Sequence, residues 1–279
     1  MLKFFHTSDW HLGQFFFNHS RHYEHECFLA WLLEQLVAHQ PDALLIAGDI
    51  FDVVNPSTAA LKQLNQFIAS AHQQVPHLHI LMIAGNHDSG HRLEQVDPLL
   101  SKYNAHMVGI VEWRDDKTLN FDKLIRPIIN AKGDVAAWCI ALPYLRPAEI
   151  TGNGQDYQDT DSATKNLYAQ LIEEAQRRKT PEQSLLLMTH AHMQGGAISD
   201  SERTIIIGNA EALSTNLFHP DIQYVALGHL HRPKKIDQAH IRYSGSPIPL
   251  SFSEIDYKHQ VLNVQLSVQT PAVIEPLFI

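Results

Sequence analysis

Short clusters of acidic, amide and imidazole side chains stand out in this sequence of 279 residues, which contains 19 histidines. The clusters are Asp9-Trp10-His11, Gly48-Asp49-Ile50-Phe51-Asp52, Gly85-Asn86-His87-Asp88, His190 and Gly228-His229-Leu230-His231. They offer oxygen and imidazole nitrogen without a thiolate. That mixture suits Mn²⁺, Fe²⁺, Zn²⁺ or Mg²⁺, and the many histidines argue against a site for Mg²⁺ alone. The residue types therefore predict a metal site.

Each cluster directly follows a short apolar segment that is typical of a buried strand. These predicted strands are Leu2–Thr7, Ala43–Ala47, His79–Ala84, Ser184–Thr189 and Ile222–Leu227. Ligands in open α/β sheets collect beyond the carboxyl ends of the strands, so we expect the clusters to converge on one site. In Asp9-x-His11 and His229-x-His231, alternate residues of an extended segment would point to the same side.

Each cluster taken alone also has an ordinary explanation. Asp-x-His can be a turn or a surface feature, and an aspartate after a strand often starts a turn or caps a helix. Gly-Asn-His-Asp and Gly-His-x-His are rarer at such positions. Glycines at 48, 85 and 228 would permit the tight turns and close approach that a crowded site needs. Because all the clusters occur together at strand ends, we favour the metal site.

The remaining pattern predicts an α/β front half and a β-rich back half within one large domain. Predicted helices cover Arg21–His39, a segment beginning at Asn55-Pro56-Ser57, and Ser162–Lys179, and the β-α-β-α-β order favours parallel strands. Further strands are predicted at Met107–Val111, Lys117–Asn130, Asp134–Leu142, His240–Ser244 and Gln260–Val268. Gly152-Asn153-Gly154 and Gly195-Gly196 are predicted to lie in exposed loops.

Composition narrows the functional classes. A net charge of −9 and a pI of about 6.1 argue against a protein that coats nucleic acid by charge alone. Two cysteines, Cys27 and Cys139, provide no disulfide framework and favour a reducing compartment. The sequence has no apolar stretch typical of a signal peptide or membrane span. We therefore expect a cytoplasmic protein that does not enter the membrane.

Taken in order, the clusters resemble the motif series of the calcineurin-like metallophosphoesterases. Longer segments resemble the SbcD nuclease family more narrowly, and the resemblance extends from about residue 1 to 255. These segments are His6-Thr7-Ser8-Asp9-Trp10-His11-Leu12-Gly13-Gln14, Ala47-Gly48-Asp49-Ile50-Phe51-Asp52, Ala84-Gly85-Asn86-His87-Asp88-Ser89, Ala226-Leu227-Gly228-His229-Leu230-His231-Arg232 and Tyr243–Phe252. The resemblance implies a four-layer α/β/β/α sandwich, in which helices flank two mixed sheets.

The resemblance also implies two divalent ions, usually Mn²⁺, with Mg²⁺ or Fe²⁺ as alternatives. One ion would bind Asp9, His11, Asp49 and His231, and the other Asp49, Asn86, His190 and His229. Asp49 would bridge the two ions. His190 is preferred to His192 because it comes first after its strand. His87 would act on the phosphate as the catalytic histidine, and the carboxylate of Asp52 would orient it.

For function, the resemblance implies a nuclease that hydrolyses DNA phosphodiesters with a metal-activated water, as an exonuclease and endonuclease. Double-strand ends or hairpins in DNA repair and recombination are the expected substrates. One alternative is a small-molecule phosphodiesterase or phosphatase on the same dinuclear site. Another is a metal-free scaffolding subunit, which the intact ligand positions disfavour.

The family also implies partners and further segments. Its members continue into a capping domain and into helices that bind a coiled-coil ATPase, SbcC. Residues 1–279 are interpreted as the nuclease core without these parts, so the ATPase partnership is left open, as is a homodimer. DNA contacts are suggested for Arg232, Lys234, Lys235 and Arg242, which could equally form a solvated strand face. Phe15-Phe16-Phe17 could contact bases or belong to the core.

Overall fold

Two mixed β-sheets pack face to face in the computed structural model, and helices cover their outer surfaces. The structure describes residues 1–152, 160–196, 202 and 212–279. Side chains from both sheets share one core, in which Phe4 and Leu45 of the first sheet lie with Leu186 and Val225 of the second. The predicted α/β/β/α sandwich is therefore confirmed.

The strands and helices follow one another with few long irregular segments among the described residues. The strands are β1 Leu2–Thr7, β2 Phe15–Phe16, β3 His19–Ser20, β4 Ala43–Ala47, β5 His79–Ile83, β6 Ala105–Val108, β7 Ile125–Ile129, β8 Val135–Leu142, β9 Ser184–His190, β10 Tyr224–Gly228, β11 Lys234–Lys235, β12 Ile241–Tyr243, β13 Gln260–Ser267 and β14 Thr270–Phe278. The helices are α1 His22–His39, α2 Thr58–Gln74, α3 Gly90–Glu94, α4 Asp97–Leu100, α5 Phe121–Leu124, α6 Pro147–Ile150 and α7 Thr160–Arg178.

Each sheet has a parallel centre from which the site is built. The first sheet has the order β14-β13-β1-β4-β5-β6, and β1, β4, β5 and β6 run parallel. The second has the order β11-β12-β10-β9-β8-β7, and β8, β9, β10 and β12 run parallel. The carboxyl ends of parallel neighbours lie at the same sheet edge, as the β-α-β-α-β pattern predicted.

Helices α1 and α2 cover the outer face of the first sheet. Phe28 and Leu32 of α1 and Leu64 of α2 form a second core with residues of β1, β4 and β5 that face away from the other sheet. Ser57 caps α2, since its Oγ accepts a hydrogen bond from Ala60 N at 3.2 Å. Both predicted helices are confirmed, with the first beginning one residue later than expected.

Helix α7 covers the second sheet with one apolar face that includes Leu167, Leu171 and Ala175. Its bounds differ by a residue or two from the prediction of a helix over Ser162–Lys179. The strands predicted at Ser184–Thr189, Ile222–Leu227 and Asp134–Leu142 are confirmed as β9, β10 and β8, with bounds that differ by at most two residues. The second sheet is thus anchored between its helix and the first sheet.

Two predicted strands differ from the structure by more than two residues at one end. The strand predicted over Lys117–Asn130 is wrong in its first part, because a turn precedes α5 and only Ile125–Ile129 is extended. Asp116 stabilises this turn, since its carboxylate accepts a hydrogen bond from Thr118 N at 3.0 Å. The strand predicted at Met107–Val111 ends at Val108. Beyond it, the backbone N–H groups of Gly109 and Ile110 donate to the Glu94 carboxylate at 2.8 and 3.0 Å instead of continuing the sheet.

Some elements were not predicted. The β2–β3 hairpin is too short to give a clear alternation, and the edge strand β14 contains Pro271 and Pro276, which argue against a strand in a sequence, although β14 pairs along most of β13. Of the predicted loops, Gly195 and Gly196 follow β9 near an exposed turn, and Gly152 ends the turn after α6, while residues 153 and 154 lie outside the described residues. Within the described part of the chain, no helix combines the length and apolarity needed to cross a bilayer.

Candidate metal centre

The predicted ligands meet where the two sheets present their strand ends. Asp9 and His11 follow β1, and Asp49 follows β4, in the first sheet; His190 ends β9 in the second. Ligand atoms of Asp9, His11 and His231 lie within 4.8 Å of one another, as do those of Asp9, Asp49 and His190. These side chains are buried, although they are polar. Both sheets therefore supply ligands to one centre.

The backbone turns sharply at several ligand positions. Positive φ values, which residues other than glycine seldom adopt, occur at four predicted ligands: 55° at Asp9, 48° at His11, 49° at Asp49 and 107° at His229. The loops after β1 and β4 hold each other in this form, because Asp9 N donates to Gly48 O and His11 N to Asp49 O, each at 3.0 Å. Such conformations cost energy and persist mainly at functional sites.

Three glycines permit the close approach of these loops. A Cβ atom on Gly48 would lie 2.3 Å from Nδ1 of His190, and one on Gly85 would lie 2.1 Å from Oδ1 of Asp49. A Cβ on Gly228 would lie 1.8 Å from the carbonyl oxygen of Ala47 in the opposite sheet. No larger residue fits at any of these positions without displacing a ligand or the backbone that carries one.

Asp49 occupies the middle of the cluster. Its Oδ2 atom lies 3.6 Å from Nε2 of His11 and 3.4 Å from Nε2 of His190, the residues that the family pattern assigns to different ions. Its Oδ1 atom accepts a hydrogen bond from His87 N at 2.8 Å. Burial raises the pKa of Asp49, but the neighbouring histidines His190, His11 and His87 together hold the pKa well below its usual value. The geometry fits the bridging position predicted for Asp49.

Around the first predicted ion, hydrogen bonds fix the carboxylate of Asp9. It accepts from Ser8 Oγ at 2.5 Å and from His229 N at 3.0 and 3.2 Å. The rings of His11 and His231 lie 5.2 Å apart, edge to face. Burial raises the pKa of Asp9 to about 6. A cation beside this buried carboxylate would favour its charged form.

Around the second predicted ion, His190 is the best-placed histidine. Its Nε2 lies 2.9 Å from Oδ1 of Asn86, and its Nδ1 lies 2.9 Å from the carbonyl oxygen of Ala47. A hydrogen bond from Nδ1 to that carbonyl directs Nε2 towards the centre, the usual arrangement behind a metal-binding histidine. By contrast, Nε2 of His192 lies 3.3 Å from the carbonyl oxygen of Gly196. These contacts favour His190 over His192.

The donor set fits divalent cations. Nε2 of His11 and Nε2 of His229 are buried and have no hydrogen-bond partner among the described residues. An unpaired buried nitrogen is costly, and a metal ion would satisfy it. Burial holds the pKa of His229 well below its usual value, which favours the neutral ligand form. Burial lowers the pKa of His190, but Asp49, Asp9 and the backbone carbonyl of Ala47 together raise the pKa to about 9. The ring therefore lies in an environment that favours a positive charge, which a bound cation could supply.

His87 and Asp52 adjoin the ligands on one side. Nδ1 of His87 lies 2.8 Å from the backbone carbonyl oxygen of Asp52, to which it can donate. The Asp52 carboxylate lies 3.2 Å from Nδ1 of His11, and nitrogens of both histidines lie within 4.8 Å of it. The rings of His11 and His87 are 4.6 Å apart. The backbone carbonyl of Asp52 therefore holds the ring of His87, while the carboxylate of Asp52 lies against His11.

Sequence reasoning missed two buried acids that support the centre. The Asp88 carboxylate accepts hydrogen bonds from the backbone N–H groups of Gly85, Ile50 and Phe51 at 2.9, 3.1 and 3.0 Å and so joins the loops after β4 and β5. Its position in Gly-Asn-His-Asp was a usable signal. Glu254 has no such signal, because its partner His231 lies 23 residues away and the contact forms only in the fold.

The predicted DNA contacts lie partly on the surface. Arg232 and Lys235 are exposed, Lys234 donates to the carbonyl oxygen of Gly195, and Arg242 is half-buried opposite Lys235. The rings of Phe15 and Phe17 are 65% and 72% exposed, so the interpretation that this run belongs to the core is wrong for both. The Phe16 ring lies 4.9 Å from that of Phe252, which is also exposed.

Comparison with known proteins places the chain in a family. Residues 2–233 match the family profile described as calcineurin-like phosphoesterase. The chain is 39% identical over 271 residues to the SbcD subunit of the SbcCD nuclease of Rhodobacter capsulatus, a match that covers 95% of this chain and 67% of that protein. The SbcD subunit of Escherichia coli K12 is 36% identical over 261 residues, covering 91% of this chain and 62% of the relative.

The SbcD subunit of Bacillus subtilis is 33% identical over 266 residues, which cover 93% of this chain and 65% of the relative. The chain thus spans between 62% and 67% of the length of these relatives. The matches confirm the resemblance to the SbcD family that the motifs predicted. Together with the metal-binding geometry, they show that this chain belongs to the calcineurin-like phosphoesterase family and is similar to the SbcD subunits of SbcCD nucleases.

Proposed function

We propose that this chain is a two-metal phosphodiesterase that cuts DNA. The observation that carries the proposal is the position of Asp49 between two sets of buried ligands, with its Oδ2 3.6 Å from His11 and 3.4 Å from His190. The relatives are named as nuclease subunits, which supports a phosphodiester in DNA as the bond that is broken. Both exonuclease and endonuclease activity are included in the proposal.

In this proposal, Asp9, His11, Asp49 and His231 hold one ion, and Asp49, Asn86, His190 and His229 hold the other. Two divalent ions, here Mn²⁺, supply charge to hold a phosphate and lower the pKa of a water molecule. His87 contributes the proton for the leaving oxygen. The Asp52 carbonyl oxygen, 2.8 Å from Nδ1 of His87, keeps that ring oriented.

The surface beside the centre supports a polymeric substrate. The β2–β3 hairpin follows His11 closely in sequence and presents exposed phenylalanines. Arg21 fixes the end of this hairpin, since its Nη1 donates to the carbonyl oxygen of Pro249 at 2.8 Å. Exposed aromatic rings can stack on bases without regard to sequence. The basic residues after His231 are suited to backbone phosphates.

The wider role is proposed from the relatives. They are named as subunits of SbcCD, so we propose that this chain works with an SbcC-type ATPase on double-strand ends or hairpins. Such a role belongs to DNA repair and recombination. The chain itself would carry the hydrolytic centre, since every predicted ligand lies within the matched region.

The test is to incubate the purified chain and Mn²⁺ with linear duplex DNA, hairpin DNA and p-nitrophenyl phosphate. We expect cleavage of DNA, abolished by EDTA and absent from an Asp49→Ala preparation purified in parallel, which controls for contaminating nucleases. Efficient hydrolysis of p-nitrophenyl phosphate without cleavage of any DNA would instead identify a small-molecule phosphatase. A chain that binds two Mn²⁺ but hydrolyses no phosphoester would contradict the proposal.

A further inference from the structure

A glutamate outside the predicted ligand set is fully buried beside the metal centre. Glu254 ends a single 3-10 turn, Phe252–Glu254, and its exposed fraction is 0%. Its neighbours Phe252 and Ile255 are 68% and 71% exposed. Burying a carboxylate costs free energy because it loses its contacts with water, unless hydrogen-bonding partners replace them.

The partners of Glu254 occupy both of its oxygens. Oε1 lies 2.7 Å from Nδ1 of His231. Oε2 accepts a hydrogen bond from Leu250 N at 2.8 Å and lies 3.5 Å from Ser246 Oγ. A backbone N–H can only donate, so Oε2 must be an acceptor. An ionised carboxylate accepts at both oxygens, and His231 Nδ1 is then the donor.

This arrangement determines which nitrogen of His231 can bind a metal ion. With the proton on Nδ1, the lone pair is on Nε2. The ring of His231 lies against that of His11, and its ligand nitrogen clusters with Asp9 and His11. Carboxylates that hold a metal-binding histidine in this way fix its tautomer and ring orientation.

We propose that Glu254 is a positioning residue for the metal centre: it holds His231 in the tautomer and orientation that bind the first ion. The inference rests on the proposed metal centre and not on the identity of the substrate. It would hold equally if the centre hydrolysed a small phosphodiester, so its test measures metal binding.

Glu254→Gln distinguishes positioning from space filling, because glutamine has the same shape but only one acceptor oxygen. If that oxygen accepts from Leu250 N, the amide NH₂ faces His231 Nδ1 and forces the proton onto Nε2, where it blocks ligation. If the oxygen accepts from His231, the NH₂ opposes Leu250 N–H. Glu254→Asp keeps two acceptors, and Ser253→Ala changes an exposed residue of the same turn.

The experiment titrates the full chain with Mn²⁺ and measures free Mn²⁺ by electron paramagnetic resonance. We expect Glu254→Gln to weaken one of two Mn²⁺ sites by about 10–100-fold, with partial recovery in Glu254→Asp and no change in Ser253→Ala. Circular dichroism of each metal-free variant reports folding. If Glu254→Gln does not fold, the comparison of Glu254→Asp with Ser253→Ala decides, because the shorter acid should still weaken one site.

A double-variant cycle supplies the sharper criterion. If Glu254 acts through His231, then Glu254→Gln should not weaken Mn²⁺ binding further once His231 is replaced by alanine. Additive losses would overturn the inference, as would wild-type affinity at both sites in the Glu254→Gln or the Glu254→Asp variant. Loss of DNA cleavage alone with unchanged Mn²⁺ binding would also overturn it. Weakened Mn²⁺ binding in a chain that cuts no DNA would uphold it while the nuclease proposal failed.

Discussion

At the scale of single residues, Asp49 is the side chain on which both predicted ions depend. Asp49→Ala should lose both ions or nearly so, because its Oδ2 lies between His11 and His190 at 3.6 and 3.4 Å. His231→Ala should lose chiefly one ion, because among the described residues its ligand nitrogen groups with ligand atoms of Asp9 and His11. Metal analysis after dialysis measures both. Two tightly bound ions in Asp49→Ala would contradict the bridging position.

His87 is expected to serve the chemistry and not metal binding. Its backbone N–H donates to Asp49, and its Nδ1 faces the Asp52 carbonyl oxygen. His87→Gln should therefore retain both Mn²⁺ ions and bind DNA. Its cleavage rate should fall by about 10²–10⁴, the usual contribution of a positioned acid or base. Quenched-flow cleavage and Mn²⁺ titration of the same preparation test this, and loss of an ion would make His87 a ligand.

The predicted ligands could be named from the sequence because most of them stand in compact motifs at strand ends, and the order of these motifs resembles the family pattern. Asp9-x-His11 and His229-x-His231 could be interpreted before any fold was known. Glu254 could not, because the contact with His231 spans 23 residues and depends on a turn without a sequence signature. The resemblance to the family did predict that Asp52 orients His87, but through its carboxylate; the 2.8 Å contact of His87 Nδ1 with the Asp52 backbone carbonyl oxygen could not be predicted from side-chain chemistry.

At the scale of elements, the close approach of β10 and β4 brings the two sheets together at the centre. Gly228→Ala would place a Cβ 1.8 Å from the carbonyl oxygen of Ala47, so the strands must separate. We expect a loss of about 3 kcal/mol in the free energy of unfolding, at the upper end of overpacking effects. Urea denaturation of the metal-free variants measures it.

Gly133→Ala is a matched control for Gly228→Ala. Nothing lies within 4 Å of a Cβ at Gly133, whose φ is +87°, so only the cost of a left-handed alanine applies. That cost is about 1 kcal/mol. A loss in Gly228→Ala no larger than that in Gly133→Ala would contradict the expected overpacking at the contact between β10 and β4.

Elements with strong apolar patterns were predicted well, and elements defined by their surroundings were not. The strand β4 is a continuous apolar segment, β1 and β5 are mostly apolar, and α1 shows an apolar face. Strand β14 alternates weakly between exposed and half-buried residues at the sheet edge, so pairing with β13, and not burial, makes it a strand. Only two residues separate β14 from its partner β13, but pairing at an exposed edge leaves little signal in the burial pattern of the strand itself.

At the scale of the whole molecule, the centre ties the two sheets to each other. Its predicted ligands follow β1, β4 and β5 on one side and end β9 or follow β10 on the other, so a bound ion would join the two sheets. Mn²⁺ should therefore stabilise the folded chain, by about 2.7 kcal/mol for each site at 100 times its dissociation constant. Chemical denaturation with and without Mn²⁺ measures the gain.

Asp49→Ala provides the control for this stabilisation, since it should remove most of the gain from Mn²⁺. A gain equal to that of the unchanged chain would mean that Mn²⁺ stabilises the fold from some other site. The sequence predicted only in part which sheet supplies each predicted ligand. The order of strands along the chain indicates which strand ends lie side by side within a sheet, but not how the two sheets face each other.

The left-handed backbone at Asp9, His11, Asp49 and His229 has a consequence for the evolution of this chain. These residues are unfavourable for folding, since each combines a rare conformation with a buried polar side chain. Selection for stability alone, without metal, would replace them first, with glycine favoured at each turn. Their joint presence in the sequence therefore indicates selection for activity. In a gene copy that is no longer under this selection, we expect these residues to be substituted before the residues of the hydrophobic core.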